Sequence, residues 1–445
     1  MKKRLGLGFA CVILAATTAC GNSKETTASK ETTASMEQPK SKEGKTVVTL
    51  SLKEPNPYYE AAAKKFKEKY PDIDLQIQSF KQPGEERVDM EKFIKTTNTA
   101  LLSGKGADII EVTSLPVDKY VNQKLLLNMS DMLNQDKTVN KSDLQTNVLD
   151  AMKRNGGLYT MPASFFLRAL IGDGDALQEA NVKVDDKSWS WKQFGEIARK
   201  LVQQTESGKD RRYALGNESP EVILQEWVVD SYGEFVDPST RKAKFDSPAF
   251  TDLLRQVKKL YDDKILTARP VDNESPLFTS ARIFSSADFI GHYTNPKLLQ
   301  KPHPEGKTGG IRIVTTSELA IQAKSAVKED AWKFMAFLLS EEVQSSPYEE
   351  RFSLLKSVNE KKLDELQKQT KGGVYKLADG KTAKVSEEDF ARFKQFLHTA
   401  DGYSDWDVKV LNIIYDEAEA FFSGQKSAEE VAKLIQNRTT TYLNE

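Results

Sequence analysis

From residue 46, where the chain can first form a core, the spacing of apolar residues is in turn that of a strand and that of a helix. Residues 46–52 form a β-branched run that predicts a strand, and residues 58–69 carry helical spacing. Apolar residues alternate again over 73–77, a second helix is predicted over 89–103, and an apolar strand over 107–112. This order of elements is typical of a mostly parallel β-sheet covered by helices.

The same order indicates where a ligand would lie. In open α/β sheets, ligands bind outside the carboxyl ends of the strands. The loops at those ends are residues 53–59 and 111–116. This inference depends on architecture and not on any reactive side chain.

Two later segments have a clear amphipathic or capping pattern. Residues 328–339 place Ala331, Phe334, Met335 and Leu338 on one face, which predicts a helix packed into a core. Further upstream, Ser188 or Ser190 can cap a helix, and we expect Trp191 to pack beneath that helix.

The amino terminus has the pattern of an export signal. Lys2, Lys3 and Arg4 precede an apolar run over 5–16, and small residues lead to Cys20. The pattern predicts cleavage before Cys20 and lipid attachment to its thiol, although Thr17 stands where such signals usually carry an aliphatic residue. The alternative is an ordinary secretory signal that is cut near Ala19. Residues 20–45, which contain a duplicated Lys-Glu-Thr-Thr-Ala-Ser, predict a disordered tether.

Composition narrows the class of protein. The chain has 64 basic and 65 acidic residues among 445, so a nucleic-acid partner is not expected. Its two cysteines are Cys11, inside the signal, and Cys20, which predicts a mature fold without disulfides. The motifs of zinc hydrolases, phosphate-binding loops and serine hydrolases are absent, and the three histidines are dispersed. We therefore predict no catalysis, no cofactor and no metal site.

Several segments together resemble a known family. The segment 320–325 leading into 331–344 is similar to the extracellular solute-binding proteins of sugar-importing ABC transporters, family 1, which includes maltose-binding protein. Segments 104–110, 122–129, 158–162 and 189–194 and the closing segment 421–445 match further motifs in the family's order. One departure is the segment 169–177, where the family's Tyr and Asn are missing. There, Asp173 and Asp175 favour a simple turn over a calcium loop.

The resemblance implies a fold and a role. It implies two α/β lobes with mostly parallel sheets, joined by a multi-strand hinge with crossings near Pro162, Ser317 and Pro347. Lobe 1 would hold 46–161 plus 318–347, and lobe 2 would hold 162–317 plus 348–445. A monomer held at the outer face of a bacterial membrane by its lipid would capture a carbohydrate, most simply an oligosaccharide. It would then deliver that ligand to an ABC permease.

The expected ligand contacts combine aromatic rings with planar polar groups, because sugars present apolar ring faces and many hydroxyls. Regions that supply contacts in the family also contain Tyr59, Ser114, Phe166 and His292. The predicted ligand-binding residues are Tyr58, Glu111, Thr113, Phe165, Arg168, Trp227, Tyr232, Asp288, Phe289 and Tyr293.

Three alternatives stay open from the sequence. The ligand could be another polar solute, such as a glycerol phosphate, a polyamine or a peptide. The chain could also be a secreted glycosidase, which would need two carboxylates facing each other across a cleft at roughly 5 to 10 Å. The same fold could instead serve as a ligand sensor for a membrane kinase.

Overall fold

The computed structural model describes residues 44–205, 211–237, 240–272, 276–306, 310–403 and 406–444. The predicted signal segment, Cys20 and all of the tether before Gly44 lie outside these residues. Within the described part of the chain, none of the helices combines the length and apolarity needed to cross a bilayer.

The described residues form strands and helices, alternating at first and then in longer runs of either kind. The strands are β1 (Thr46–Leu52), β2 (Ile73–Ser79), β3 (Ile109–Glu111), β4 (Ser164–Asp173), β5 (Val236–Asp237), β6 (Lys242–Ala243), β7 (Phe278–Ile283), β8 (Pro296–Leu299), β9 (Arg312–Thr316), β10 (Leu319–Ile321) and β11 (Gly402–Tyr403). The helices are α1 (Pro57–Lys69), α2 (Met90–Ser103), α3 (Val117–Asn122), α4 (Ser130–Gln135), α5 (Thr146–Ala151), α6 (Gly174–Glu179), α7 (Trp191–Gln203), α8 (Pro220–Asp230), α9 (Tyr232–Phe235), α10 (Pro248–Asp262), α11 (Ser286–Ile290), α12 (Lys328–Leu338), α13 (Glu341–Gln344), α14 (Lys356–Lys371), α15 (Glu387–Thr399), α16 (Val408–Phe422) and α17 (Ala428–Asn444).

Local signals explain where the early helices begin and end. Asn56 caps α1 by accepting the Tyr58 N–H, and Pro57 occupies the first helical turn, where no N–H is required. Asp89 caps α2, which ends at Gly104 with a φ of 70°. The capping box at α7 joins Ser190 to Gln193, which confirms the predicted helix start there.

The first sheet confirms the parallel pattern that the sequence predicts. Its order is β10-β3-β1-β2, and β1 pairs in parallel with both β2 and β3. The strand β10 comes from much later in the chain and pairs antiparallel with β3. The helix α12 has the predicted buried face and packs on α1 and β1.

The second sheet is mixed, which corrects the expectation of mostly parallel strands. Its order is β11-β9-β4-β7, and β8 also pairs with β4. The long strand β4 is antiparallel to β7, β8 and β9, and only β11 runs parallel to β9. Long helical stretches separate β4 from β7, so the alternation of strand and helix no longer determines strand direction in this part of the chain.

The chain passes directly from one sheet to the other at two neighbouring segments. Met161 pairs with Leu319 at the first sheet, whereas Ser164 pairs with Thr316 in the second. Residues 161–164 and 316–319 therefore run side by side between the sheets. A third passage follows α13, since Phe352 pairs with Phe165 of β4. The predicted crossings fall in these segments, while the division into two lobes at those bounds stays a prediction.

Apolar side chains form three clusters around the sheets. The largest lies around α1, α12 and the inner faces of both sheets, and includes Phe165 and Phe289. The second joins α7, α8, α10, α16 and α17 over the outer part of β4. The third lies under α2 and α3. Several aromatic residues that the sequence presented as ligand candidates belong to these cores.

Candidate functional site

The first sheet presents polar groups where its strands end. Glu111, the last residue of β3, accepts a hydrogen bond from the backbone N–H of Lys53, which follows β1, at 2.9 Å. Burial raises the pKa of the Glu111 carboxyl, and the hydrogen bond from Lys53 opposes that shift. The ammonium groups of Lys53 and Lys81 lie 3.9 and 4.0 Å from the Glu54 carboxylate. Charged groups of both signs therefore line this edge.

The passage between the sheets is organised around Glu318. Its backbone N–H donates to the Thr113 hydroxyl at 2.7 Å, which ties the passage to the end of the first sheet. Its carboxylate accepts the hydroxyls of Thr315 at 2.5 Å and of Tyr403 at 2.8 Å. Because Thr315 and Tyr403 belong to the second sheet, Glu318 connects the two sides of the site.

Tyr59 lies beneath the same passage. Its hydroxyl donates to the carbonyl oxygen of Ser317 at 2.5 Å, and its ring has no exposed surface. Burial raises its pKa far above the usual value, and Glu111, Glu349 and Glu318 add to that shift. These three carboxylates therefore lie within electrostatic reach of one buried tyrosine.

The second sheet presents an aromatic pair on the face of β4 that carries its even-numbered residues. Phe166 of β4 and Phe284, just after β7, have ring centroids 4.8 Å apart. Phe284 is 36% exposed, and the Arg351 guanidinium lies 5.7 Å from its ring centre. Phe165 points to the opposite face and has no exposed surface, because successive side chains of a strand alternate.

A row of arginines lies beside the aromatic pair on that face. Arg168 of β4 is directly opposite Arg282 of β7 on one side and Arg312 of β9 on the other. The Arg168 guanidinium also lies 5.8 Å from the ring centre of Trp406, which is partly exposed. Three guanidinium groups thus follow one another across three adjacent strands.

Two acidic residues of α8 offset the positive charge at the centre of this row, and they share a buried lysine. Glu226 contacts Arg168 at 3.1 Å and Lys301 at 2.7 Å, and it accepts the Ser280 hydroxyl at 2.6 Å. Asp230 lies 2.9 Å from Lys301. Burial would raise the pKa of the Glu226 carboxyl, but Lys301 and Arg168 together lower it to about 2. Glu226 is therefore ionised at neutral pH.

A groove of about 500 Å³ lies between α2 and the ends of β1 and β2. Polar side chains of Gln78, Gln82 and Lys92 line it together with the rings of Phe80 and Phe93, which meet edge to face at 5.3 Å. Ser51 of β1 and Ile110 of β3, which shortly precede Lys53 and Glu111, also line the groove. It extends the polar edge of the first sheet.

The structure brings Glu111, Thr113 and Arg168 among the predicted residues to this region. Thr113 and Glu111 lie at the end of the first sheet, and Arg168 lies on the second. Their contact with a ligand stays a prediction.

Other residues predicted as ligand contacts have their rings packed in cores. Phe289 stacks on Phe393 at 5.3 Å and Phe165 packs on Phe352, each without exposed surface. Trp227 is 1% exposed and stacks on Trp191 at 4.0 Å. A ring that protein encloses on both faces is not accessible for stacking on a sugar.

The remaining predicted residues have structural partners. Tyr58 is buried and its hydroxyl accepts the Gln344 amide, and the Tyr232 hydroxyl accepts the Asp407 N–H. Tyr293 is buried and lies 3.1 Å from the Pro276 carbonyl oxygen. Asp288 caps α11 by accepting the N–H groups of Phe284 and Ser285. Asp288 therefore fixes the backbone that carries Phe284 rather than facing the site itself.

Sequence reasoning missed much of what the second sheet contributes. Arg282 and Phe284 stand two residues apart at the edge strand, so the alternation of a strand over 278–284 could have placed them on one face. No local pattern could have placed Arg312, Glu318 or Trp406 there, because β4, β9 and β11 are distant in sequence.

The described residues hold no group of three or more His, Cys, Asp or Glu side chains arranged to bind a metal ion. The site consists instead of carboxylates, guanidinium groups, hydroxyls and exposed rings. Such groups bind a polar ligand through hydrogen bonds and stacking.

Comparison with known proteins identifies the family of this chain. Residues 51–345 match the family model described as bacterial extracellular solute-binding protein, and the chain belongs to that family. The family and the fold are those of non-enzymatic solute-binding proteins.

Solved structures show the same fold at low sequence identity. The sugar-binding protein MalE from Xanthomonas citri aligns with a TM-score of 0.60 at 15% identity, covering 90% of this chain and 98% of that one. A periplasmic oligogalacturonide-binding protein from Yersinia enterocolitica has a TM-score of 0.60 at 15% identity, covering 89% and 99%. An ABC substrate-binding protein from Listeria monocytogenes, in complex with cycloalternan, has a TM-score of 0.53 at 16% identity, covering 90% and 99%. The chain thus has the α/β fold of periplasmic binding proteins.

Proposed function

We propose that this chain captures a carbohydrate, most simply an oligosaccharide, outside a bacterial cell and delivers it to the permease of an ABC importer. The observation that carries the proposal is the ring pair Phe166 and Phe284, of which Phe284 is 36% exposed, beside a row of arginines in register on the same face. Aromatic rings stack on the apolar faces of sugars, and planar charged groups form paired hydrogen bonds with hydroxyls. Several proteins of the same fold are described as binding sugars.

The proposed mechanism is closure of two lobes around the ligand without chemical change. The neighbouring passages 161–164 and 316–319 would allow bending at few residues, and closure would bury the sugar and exclude water. The loaded, closed form would then be the one that the permease binds.

A thermal-shift screen against mono- and oligosaccharides tests the ligand class. A sugar present at 100 times its dissociation constant is expected to stabilise the fold by about 2.7 kcal/mol. Phe284→Ala should lose this stabilisation, whereas Tyr415→Ala, which removes another exposed ring from α16, should keep it.

Two results would contradict the proposal. One is stabilisation by a phosphate ester, a polyamine or a peptide with no response to any sugar. The other is the appearance of shorter sugars after incubation with the protein, which chromatography would detect and which would indicate a glycosidase.

We also propose that Cys20 carries the lipid that holds the protein at the outer face of the membrane. The support is the sequence of residues 1–21, and a tether of the length of 20–45 would reach roughly 25 to 30 Å. Cys20→Ser should move the protein from the membrane fraction to the medium and abolish incorporation of labelled palmitate. A variant that stays in the membrane fraction would contradict the assignment.

A further inference from the structure

The guanidinium of Arg312 is mostly withdrawn from water, yet it lacks a close partner. Its side chain is 25% exposed, and its nearest ion-pair contact is Asp230 at 3.9 Å. It forms no side-chain hydrogen bond with the rest of residues 44–444 that the structure describes. A withdrawn cation without hydrogen bonds normally destabilises a fold, so its presence calls for another reason.

The neighbours of Arg312 do not supply the hydrogen bonds that its guanidinium lacks. Burial lowers the pKa of Arg312. The positive charge of Arg168, in register beside it, lowers that pKa further, while Asp230, Asp401 and Glu234 raise it. Asp230 is already shared with Lys301 at 2.9 Å. The carboxylates oppose the shift without occupying the N–H groups of the Arg312 guanidinium.

Arg282, at the other end of the row, also has guanidinium N–H groups without a close carboxylate. It is exposed, and no described carboxylate lies within 4.0 Å of it; Glu218 acts on it only at longer range. The ends of the row therefore present open guanidinium groups, while its centre, Arg168, is buried and paired with Glu226 at 3.1 Å.

From this arrangement we infer that the ligand carries a carboxylate and that Arg312 and Arg282 bind it, so that the preferred ligands are oligosaccharides of uronic acids. The inference rests on the proposed function and names the substrate class of that site. Guanidinium groups bind carboxylates through two parallel hydrogen bonds. The ring pair Phe166 and Phe284 lies two residues along the same strands, about 7 Å away. That spacing suits a sugar ring stacked on phenylalanine with its carboxylate at the arginines.

Calorimetric titration of the full chain with a galacturonic acid trisaccharide and with its methyl-esterified form tests the inference. The two probes share shape and hydroxyls and differ in charge. The acid should bind at least tenfold more tightly than the ester, and this preference should weaken as salt is added.

Variants assign the preference to particular residues. Arg312→Gln should abolish it, and Arg282→Gln should reduce it. Arg255→Gln, which removes one positive charge from the surface of α10, should leave it unchanged. Arg312→Gln should melt at the same temperature as the parent or higher, since it removes a poorly partnered cation.

Each of the other outcomes contradicts one part of the inference or of the proposed function. If the ester and other neutral sugars bind as tightly as the acid, the ligand class is wrong while the proposed function stands. If no sugar of either kind binds, the proposed function itself fails. If Arg312→Gln melts at a clearly lower temperature, Arg312 supports the fold, and persistence of the preference in Arg282→Gln would then exclude the arginine row.

Discussion

Trp227 and Phe284 show how differently two large aromatic residues can serve this protein. Trp227 is 1% exposed and stacked on Trp191, whereas Phe284 is 36% exposed at the edge of the second sheet. Burial of an aromatic ring stabilises a core, and its removal leaves a cavity. An exposed ring of the same size contributes little to stability and can stack on a ligand.

Trp227→Ala should therefore lower the free energy of unfolding by about 3–5 kcal/mol. Phe284→Ala should change it by less than about 1 kcal/mol while weakening sugar binding. Chemical denaturation of both variants, with a binding titration, separates the two effects. A Trp227→Ala protein of parental stability and weakened affinity would instead make Trp227 a ligand contact.

Glu226 gives the second sheet a defined dependence on pH. The lysine and arginine beside it lower the pKa of its carboxyl from 4.5 to about 2 in the folded state, against the effect of burial. A lowered folded-state pKa contributes stability above the unfolded value of 4.5, and this stability is lost as pH falls towards 2. The contribution at neutral pH is on the order of 3 kcal/mol.

Glu226→Gln should lower the free energy of unfolding at pH 7 by about 3 kcal/mol, because Lys301 and Arg168 lose their shared anion. The difference from the parent should shrink as pH falls below 4.5, because the carboxyl is then protonated in the unfolded chain while the folded chain keeps it ionised until the pH approaches 2. Denaturation curves recorded between pH 7 and 3 measure this trend. A difference that is the same at every pH would mean that Glu226 acts through packing rather than charge.

Among the elements, the junction between β9 and β10 is unusual because a non-glycine residue has a left-handed backbone. Ser317 has a φ of 49°, and Ser114, near the end of β3, has a φ of 67°. Glycine adopts this conformation without strain, serine accepts it with some strain, and β-branched residues rarely do so. The junction therefore restricts which residues can occupy it.

Ser317→Val should lower the free energy of unfolding by about 1–2 kcal/mol or shift the chain at the junction. Ser317→Gly should stay within about 1 kcal/mol of the parent, since glycine accepts the same dihedral angles. Thermal unfolding of the pair provides the measurement. Equal stability of the valine and glycine variants would show that the junction relaxes at no cost.

The elements that the sequence predicted well are those specified by local pattern. The strands and helices over 46–112 lie within two residues of the predicted bounds, because period and caps are local properties. The helix α12 was predicted for the same reason. The direction of strands around β4 depends on partners up to 152 residues away, and no local pattern specifies them.

The candidate site was less predictable for a related reason. Phe165 and Phe166 are adjacent and chemically identical, yet one is enclosed and the other lies beside Phe284. Alternation in a strand requires that they face opposite ways, but only the surrounding helices decide which face is covered. Glu111 and Thr113 were predictable because parallel strands bring their carboxyl ends to one edge.

On the scale of the whole molecule, Glu318 joins the sheet that carries Glu111 and Thr113 to the sheet that carries the arginines and the aromatic pair. This residue contacts Thr113 on one side and Tyr403 on the other. A bend at the passages would move the two sets of groups relative to each other while Glu318 stays at their junction. The hydrogen bonds of one residue thus connect the two sheets at the passage.

The position of Trp406 gives the protein an optical property. Of the five tryptophans, Trp189, Trp191, Trp227 and Trp332 are buried, and Trp406 alone is partly exposed, beside the arginine row. Ultraviolet emission from its indole should therefore shift in wavelength when a sugar occupies the site. Trp406→Phe should silence this change, whereas persistence of the shift would trace it to a buried indole. The intrinsic fluorescence of the unlabelled protein would then measure the fraction of molecules that have sugar bound.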